Sequence, residues 1–211
     1  MSKAVLISIQ PKWCELIASG KKTVEKTVEV RKTRPKIDTP FKCYIYCTKP
    51  RHYYKISKHL LISDENLFLV NGAARMCDGF GVEYEDAEYK HLNCKVIGEF
   101  VCDEIHEFTK AFFDEQEPQD TEEISFWLDQ FCLSYNELRS YVGLKDFYGW
   151  HITEIVIYDK PKELSAFRRA CPDNVYSCAM CRHGDFTGMK CTPIKRPPQS
   201  WCYVEEGEDN E

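Results

Sequence analysis

Gly20-Lys21-Lys22-Thr23-Val24-Glu25-Lys26-Thr27-Val28-Glu29-Val30-Arg31 carries one four-residue word, Lys-Thr-Val-Glu, twice in tandem. The stretch is dense in groups that move protons or grip anions. Thr27–Arg31 alternates Val28 and Val30 with Thr27, Glu29 and Arg31, the period of a strand. Glu29 and Arg31 then share one face. They pair with each other, or Arg31 binds phosphate bidentately while Glu29 orients it. A lysine whose pKa is depressed by burial is a general base, and a threonine hydroxyl beside it is a nucleophile. Lys22, Thr23, Lys26, Thr27 and Glu29 are therefore the candidate catalytic residues. An insertion of even length keeps the same side chains facing in, so either copy can supply the site. The plain alternative is an edge strand whose charges face solvent.

Working outward, Val5–Ile9 reads as an apolar strand, and Pro11 opens a helix that Gly20 ends. Trp13, Leu16 and Ile17 fall at helical spacing on its core side. Arg34-Pro35 and Thr39-Pro40 break the next strand, and Phe41–Cys47 is an aromatic-rich strand of the buried kind. Residues 60–92, with turn signals at Asn71-Gly72 and Asp78-Gly79, read as an insertion. Cys94–Ile105 is a strand with Gly98 as a bulge. Residues 108–145 are decoration: an acidic, aromatic loop or short helix, then one helix over Ile124–Tyr141. Tyr148–Tyr158 is a strand, and Pro161–Phe167 opens a short helix. The pattern predicts an α+β domain over 1–167, a small, mostly antiparallel β-barrel with flanking helices. A Cys-rich appendage over 168–204 and a frayed acidic tail over 205–211 complete the expected organisation.

The chain of 211 residues has net charge −6, distributed unevenly. Residues 1–58 hold 14 Lys/Arg against 4 Asp/Glu, while 99–129 hold 11 acidic residues and one lysine. The acidic total excludes indiscriminate DNA coating, but the basic first quarter permits a local phosphate-binding face. No apolar run approaches the ~20 residues of a membrane span, and the N-terminus lacks the apolar region of a signal peptide. This predicts a cytoplasmic protein without membrane contact. Most of the 12 cysteines, such as Cys43, Cys47 and Cys102, sit in apolar runs and read as small buried hydrophobes.

Three pieces of sequence resemble the ASCH domain family of the PUA-like β-barrel superfamily. They are Ile7-Ser8-Ile9-Gln10-Pro11-Lys12-Trp13 running to Gly20-Lys21-Lys22-Thr23, then Glu29-Val30-Arg31-Lys32-Thr33-Arg34-Pro35-Lys36, then Gly149-Trp150-His151-Ile152 running to Tyr158-Asp159-Lys160-Pro161. Arg196–Val204 is similar to the endings of bacterial and phage members. The resemblance implies a PUA-like barrel holding RNA, or a nucleotide or modified nucleoside, in a cleft around 20–34. It also implies the alternative of an amidohydrolase on an acetylcytidine-like nucleoside, or a ribonuclease. In the amidohydrolase-type relatives a Lys and a Thr of this motif act with a distant Glu. Lys22 and Thr23 match the first two, and Glu99 is the candidate for the third. The repeat sets Gly20 and Arg31 four residues further apart than in the family pattern.

The candidate nucleic-acid contacts are Arg31, Lys32, Arg34, Lys36, Arg51, Tyr53 and Trp150. Arg51 and Tyr53 lie in Lys49–Lys55, where cations alternate with aromatics as on surfaces that stack bases and meet phosphates. Trp150 either lines a base pocket or packs in the core. A third reading makes the acidic face, 99–129, a docking surface in a phage or host interaction protein. Cys171, Cys178, Cys181 and Cys191 form the remaining constellation. A Cys-x2-Cys pair with two further thiolates predicts a closed, structural Zn site. The little apolar material around it favours a metal staple.

Overall fold

The computed structural model describes residues 3–18, 28–49, 54–55, 61–62, 74–77, 81–84, 93–113, 121–170 and 193–205. The chain divides into two compact units, one of Met1–Ala18, Cys43–Glu99 and Val156–Glu211, the other of Ser19–Lys42 and Phe100–Ile155. This division differs from the expected boundary at 167. Residues 201–204 of the expected appendage, with Glu205 of the expected tail, pair with the N-terminal strand of the first unit.

In the first unit the strand β1 (Lys3–Ile9) is buried at every position but Lys3. A run apolar on both faces is what a central strand needs. It pairs in parallel with β3 (Phe41–Cys47), Val5 opposite Cys43, and antiparallel with β12 (Trp201–Glu205), Val5 opposite Tyr203. The sheet is completed by β8 (Lys95–Cys102) and β11 (Thr153–Glu163), in the order β11-β8-β3-β1-β12. Ala4, Leu6, Tyr44, Tyr46, Val96, Leu164, Phe167, Ile194 and Val204 form one buried cluster. The one polar residue inside β1, Ser8, is satisfied: its Oγ donates to Pro198 O at 2.7 Å and its N–H to Ser200 O at 2.8 Å. The helix α1 (Pro11–Ala18) starts at the expected proline, burying Cys14 and Ile17 and half-burying Trp13 and Leu16. Two short antiparallel pairs follow, β4 (Tyr54–Lys55) with β5 (Leu61–Ile62) and β6 (Ala74–Cys77) with β7 (Gly81–Tyr84); all but β4 fall within the expected insertion.

Gly98 lies where β11 comes close to β8. A Cβ there would run into the carbonyl oxygen of Val156 and stand 3.1 Å from Ile157 Cα. Backbone cannot swing aside as a side-chain tip can. Gly98→Ala is expected to cost about 1–3 kcal/mol or more through forced strand separation, read as a lower denaturant midpoint.

In the second unit β2 (Val28–Arg31), β10 (Phe147–His151) and β9 (Ile105–Phe108) form an antiparallel sheet in the order β2-β10-β9. Val28, Val30 and Phe147 pack with Phe112, Phe113, Phe131, Leu138 and Val142. These come from a 3-10 turn (Lys110–Phe113), α2 (Thr121–Phe131) and α3 (Tyr135–Val142). Gly149 is the only residue type that fits its place, because a Cβ would stand 2.5 Å from Val28 Cγ1.

Three expected elements are each two. The helix over 124–141 breaks at Cys132, whose φ is +52°, and restarts at Ser134. There Glu137 N–H donates to Ser134 Oγ at 3.3 Å while Ser134 N–H donates to Glu137 Oε2 at 3.0 Å, a capping box. The strand over 94–105 turns at Asp103-Glu104 into β9, and that over 148–158 turns at Ile152 into β11. The expected helix at 161–167 is strand through Glu163 and then a 3-10 turn, Leu164–Ala166. The α+β class and the mostly antiparallel pairing are as expected, and neither sheet closes on itself among the described residues. No helix of the described residues is long and apolar enough to cross a membrane.

Candidate nucleic-acid interface

Strand β2 carries the site. Its pairing sets Glu29 opposite Trp150 and Arg31 opposite Tyr148, so these four share one face of the sheet while Val28 and Val30 turn to the aromatic core. Glu29 and Arg31 are both buried, at 7% and 4% exposure. Two opposite charges are costly to bury unless they meet. Arg31 Nη2 lies 2.9 Å from Glu29 Oε1. That contact closes the distance without a well-aligned hydrogen bond, and Arg31 Nε and Nη2 have no hydrogen-bond acceptor among the described residues. The guanidinium is also hydrogen-bonded with the Tyr141 side chain of α3. Burial pushes the Tyr141 phenol up from its ordinary pKa, and Arg31 beside it pulls partly the other way. The phenol is therefore neutral at physiological pH.

Around this pair the expected cations are on the surface. Lys32 Nζ stands 5.2 Å from the centre of the Tyr141 ring. Arg34 Nη1 pairs with Glu107 Oε1 at 2.9 Å, with both side chains more than half exposed. Such a pair is worth at most about 1 kcal/mol, so phosphate can displace the carboxylate. Lys36 is exposed. The structure thus brings Glu29, Arg31, Lys32 and Arg34 together, with Tyr141 and Glu107 added. Sequence reading missed those two because they join the strand only through the fold. Of the two readings of Trp150, its burial favours the core: it is fully buried, with its ring edge-on to Phe41 at 5.8 Å and 85°. It packs the sheet and offers no open face to a base.

Glu99 accepts a hydrogen bond from the Tyr158 hydroxyl at 2.5 Å, within the first unit. Lys22, Thr23, Lys26, Thr27, Arg51, Tyr53, Cys171, Cys178, Cys181 and Cys191 lie outside the described residues. The described cysteines are free thiols, and Cys14, Cys43, Cys47 and Cys102 are buried. Burial pushes the Cys102 thiol up to about 12, and burial also raises Cys94 and Cys202. Thiols held protonated in this way are weak nucleophiles.

Over nearly its whole length the chain aligns with solved ASCH structures from Zymomonas mobilis. A tyrosine-to-phenylalanine mutant of that protein is 17% identical, with a TM-score of 0.45, over 97% of this chain and 92% of the other. The unmutated ASCH protein is 18% identical, with a TM-score of 0.43, over 96% and 88%. The chain is similar to ASCH proteins. No protein-family model matches it, and no curated protein does.

Proposed function

We propose that this protein binds a nucleotide or single-stranded RNA, with Arg31 as the residue that grips phosphate. The observation that carries this reading is the Arg31 guanidinium, held by the Glu29 carboxylate, whose Nε makes no hydrogen bond among the described residues, with exposed Lys32, Arg34 and Lys36 beside it. An unmet guanidinium donor costs free energy, and an anionic oxygen is the acceptor that returns most of it. Glu29 and Tyr141 hold the fork in place before a ligand arrives. Lys32, Arg34 and Lys36 continue the positive charge along the same segment. The resemblance of residues 20–36 to the ASCH motif points the same way. Titrating the full chain with a labelled single-stranded oligouridylate should give binding that weakens steeply as salt rises. Arg31→Lys keeps the charge but loses the planar fork, and should weaken binding about tenfold or more. A folded Arg31→Lys protein that binds as the parent does would remove Arg31 from the reading.

We also propose structural zinc on Cys171, Cys178, Cys181 and Cys191. Supporting this, both ends of the segment that carries them are fastened together. Arg168 bridges Pro193 antiparallel, and Ile194 N–H donates to Phe167 O at 2.9 Å. A segment with little apolar content whose flanking residues are joined gains order from a tetrahedral thiolate site. Metal analysis of the purified chain is expected to find close to one zinc per chain. A content below ~0.2 equivalents without chelator treatment counts against it.

A further inference from the structure

Three side chains form one row across the sheet of the second unit. The pairing sets Arg31 of β2 opposite Tyr148 of β10, and Tyr148 opposite Glu107 of β9. Residues directly opposite in an antiparallel pair share a face, with Cβ atoms about 5 Å apart. The row passes from interior to surface. Arg31 is buried, Tyr148 is half-buried, and the Glu107 side chain is 59% exposed. Sequence spacing offers Trp150 as the ring for a base; the fold buries it against Phe41 and leaves Tyr148, two residues earlier on the same face, half open to solvent. Among the described residues no aromatic ring or cation packs on Tyr148. Tyr141, the other tyrosine beside Arg31, is already engaged. Its phenol is hydrogen-bonded with the guanidinium, and Lys32 Nζ stands 5.2 Å from its ring centre.

We propose that the base of a bound nucleotide stacks on Tyr148 while its phosphate lies on Arg31. This rests on the reading of Arg31 as the phosphate grip, and adds the group that tells a nucleoside phosphate from a bare phosphate ester. Neighbouring strands set the ring and the guanidinium side by side, as a nucleotide sets its base beside its phosphate. Every base has a π-face, so a tyrosine platform takes single strands with little regard to sequence. Tyrosine suits the place. It offers a rigid apolar ring with few rotamers to freeze, and its hydroxyl keeps one edge in water. Beyond the ring, Arg34 Nη1 is 2.9 Å from Glu107 Oε1, in a pair exposed enough for the next phosphate of a strand to replace the carboxylate. The row thus alternates what a strand alternates: a cation for phosphate, a ring for a base, a cation again.

The test uses the full chain, a labelled single-stranded oligouridylate, and an abasic strand of the same length with the same phosphates. The parent should bind the abasic strand about fivefold or more less tightly. Tyr148→Ala should weaken oligouridylate binding about five- to hundredfold, the range for one stacked base, and leave abasic binding as in the parent. Tyr148→Phe keeps the ring and should bind both strands as the parent does. A ring that acts on a base gives this non-additive pattern, whereas a merely structural tyrosine would weaken both strands alike. Melting curves accompany each variant, and Tyr148→Leu stands in if Tyr148→Ala does not fold. Either variant, folded, binding oligouridylate as the parent does overturns the proposal, as does an equal loss on both strands. The Arg31 reading survives that result when Arg31→Lys still weakens both strands. Parental binding by Arg31→Lys, or no oligouridylate binding by the parent, removes both.

Discussion

Arg31→Ala is expected to cost the second unit about 3–5 kcal/mol, because it leaves the Glu29 carboxylate buried with its ion partner gone. Both side chains are below a tenth exposed, and Arg31 Nη2 stands 2.9 Å from Glu29 Oε1. The loss exceeds what the pair adds, since the cost lies in a buried carboxylate that has lost its ion-pair cation. Glu29→Gln in the Arg31→Ala background should therefore recover part of the stability, an amide being far less costly to bury than a carboxylate. A paired apolar replacement, Glu29→Leu with Arg31→Met, should recover more, as buried ion pairs often yield to well-packed hydrophobes without loss. If the apolar pair is stable yet does not bind oligonucleotide, the charges are retained for the ligand and not for the fold. Chemical denaturation of the four proteins checks this. An Arg31→Ala protein within 1 kcal/mol of the parent would mean that water reaches Glu29 and that the pair is a surface one.

The sequence spoke most clearly where burial is simplest. The runs at 3–9 and 41–47 are apolar on both faces, and both became inner strands of the larger sheet. Pro11 marked its helix because proline at a first turn loses no hydrogen bond. The breaks were harder. Apolar spacing runs on through Cys132, so periodicity joins two helices, although Ser134 and Glu137 spell a capping box three residues apart. The corners at Asp103-Glu104 and Ile152 have no glycine or proline to announce them. They are held by bonds between distant segments, such as His151 to Asp103 and Thr153 to Val101. The candidate site divides in the same way. Glu29 and Arg31 on one strand face were legible from their spacing. Their burial was not, because it depends on the elements that cover the strand. Residues 168–204 read as a separate Cys-rich appendage, yet Trp201–Glu205 pairs with β1, because Val204 completes a core that begins at Ala4.

Trp150→Ala should lower stability by about 3–5 kcal/mol, the cost of deleting a large buried ring. For a chain of this size that is a fall in Tm on the order of 10 °C. The indole is fully buried on the face that also carries Glu29, and it meets the edge of Phe41 at 5.8 Å. The result separates two roles the sequence left open. A base-stacking tryptophan would lose affinity on truncation while the fold held. A core tryptophan loses stability, and loses affinity only as far as β2 loosens with it. A double-mutant cycle with Phe41→Leu should return a coupling of about 0.5–1.5 kcal/mol, the share due to the edge-to-face geometry beyond buried area. Trp150→Phe keeps an aromatic ring in the slot and should bind oligonucleotide as the parent does. A Trp150→Phe protein with parental stability but lost binding would restore the indole to the ligand site and move it out of the core role assigned to it.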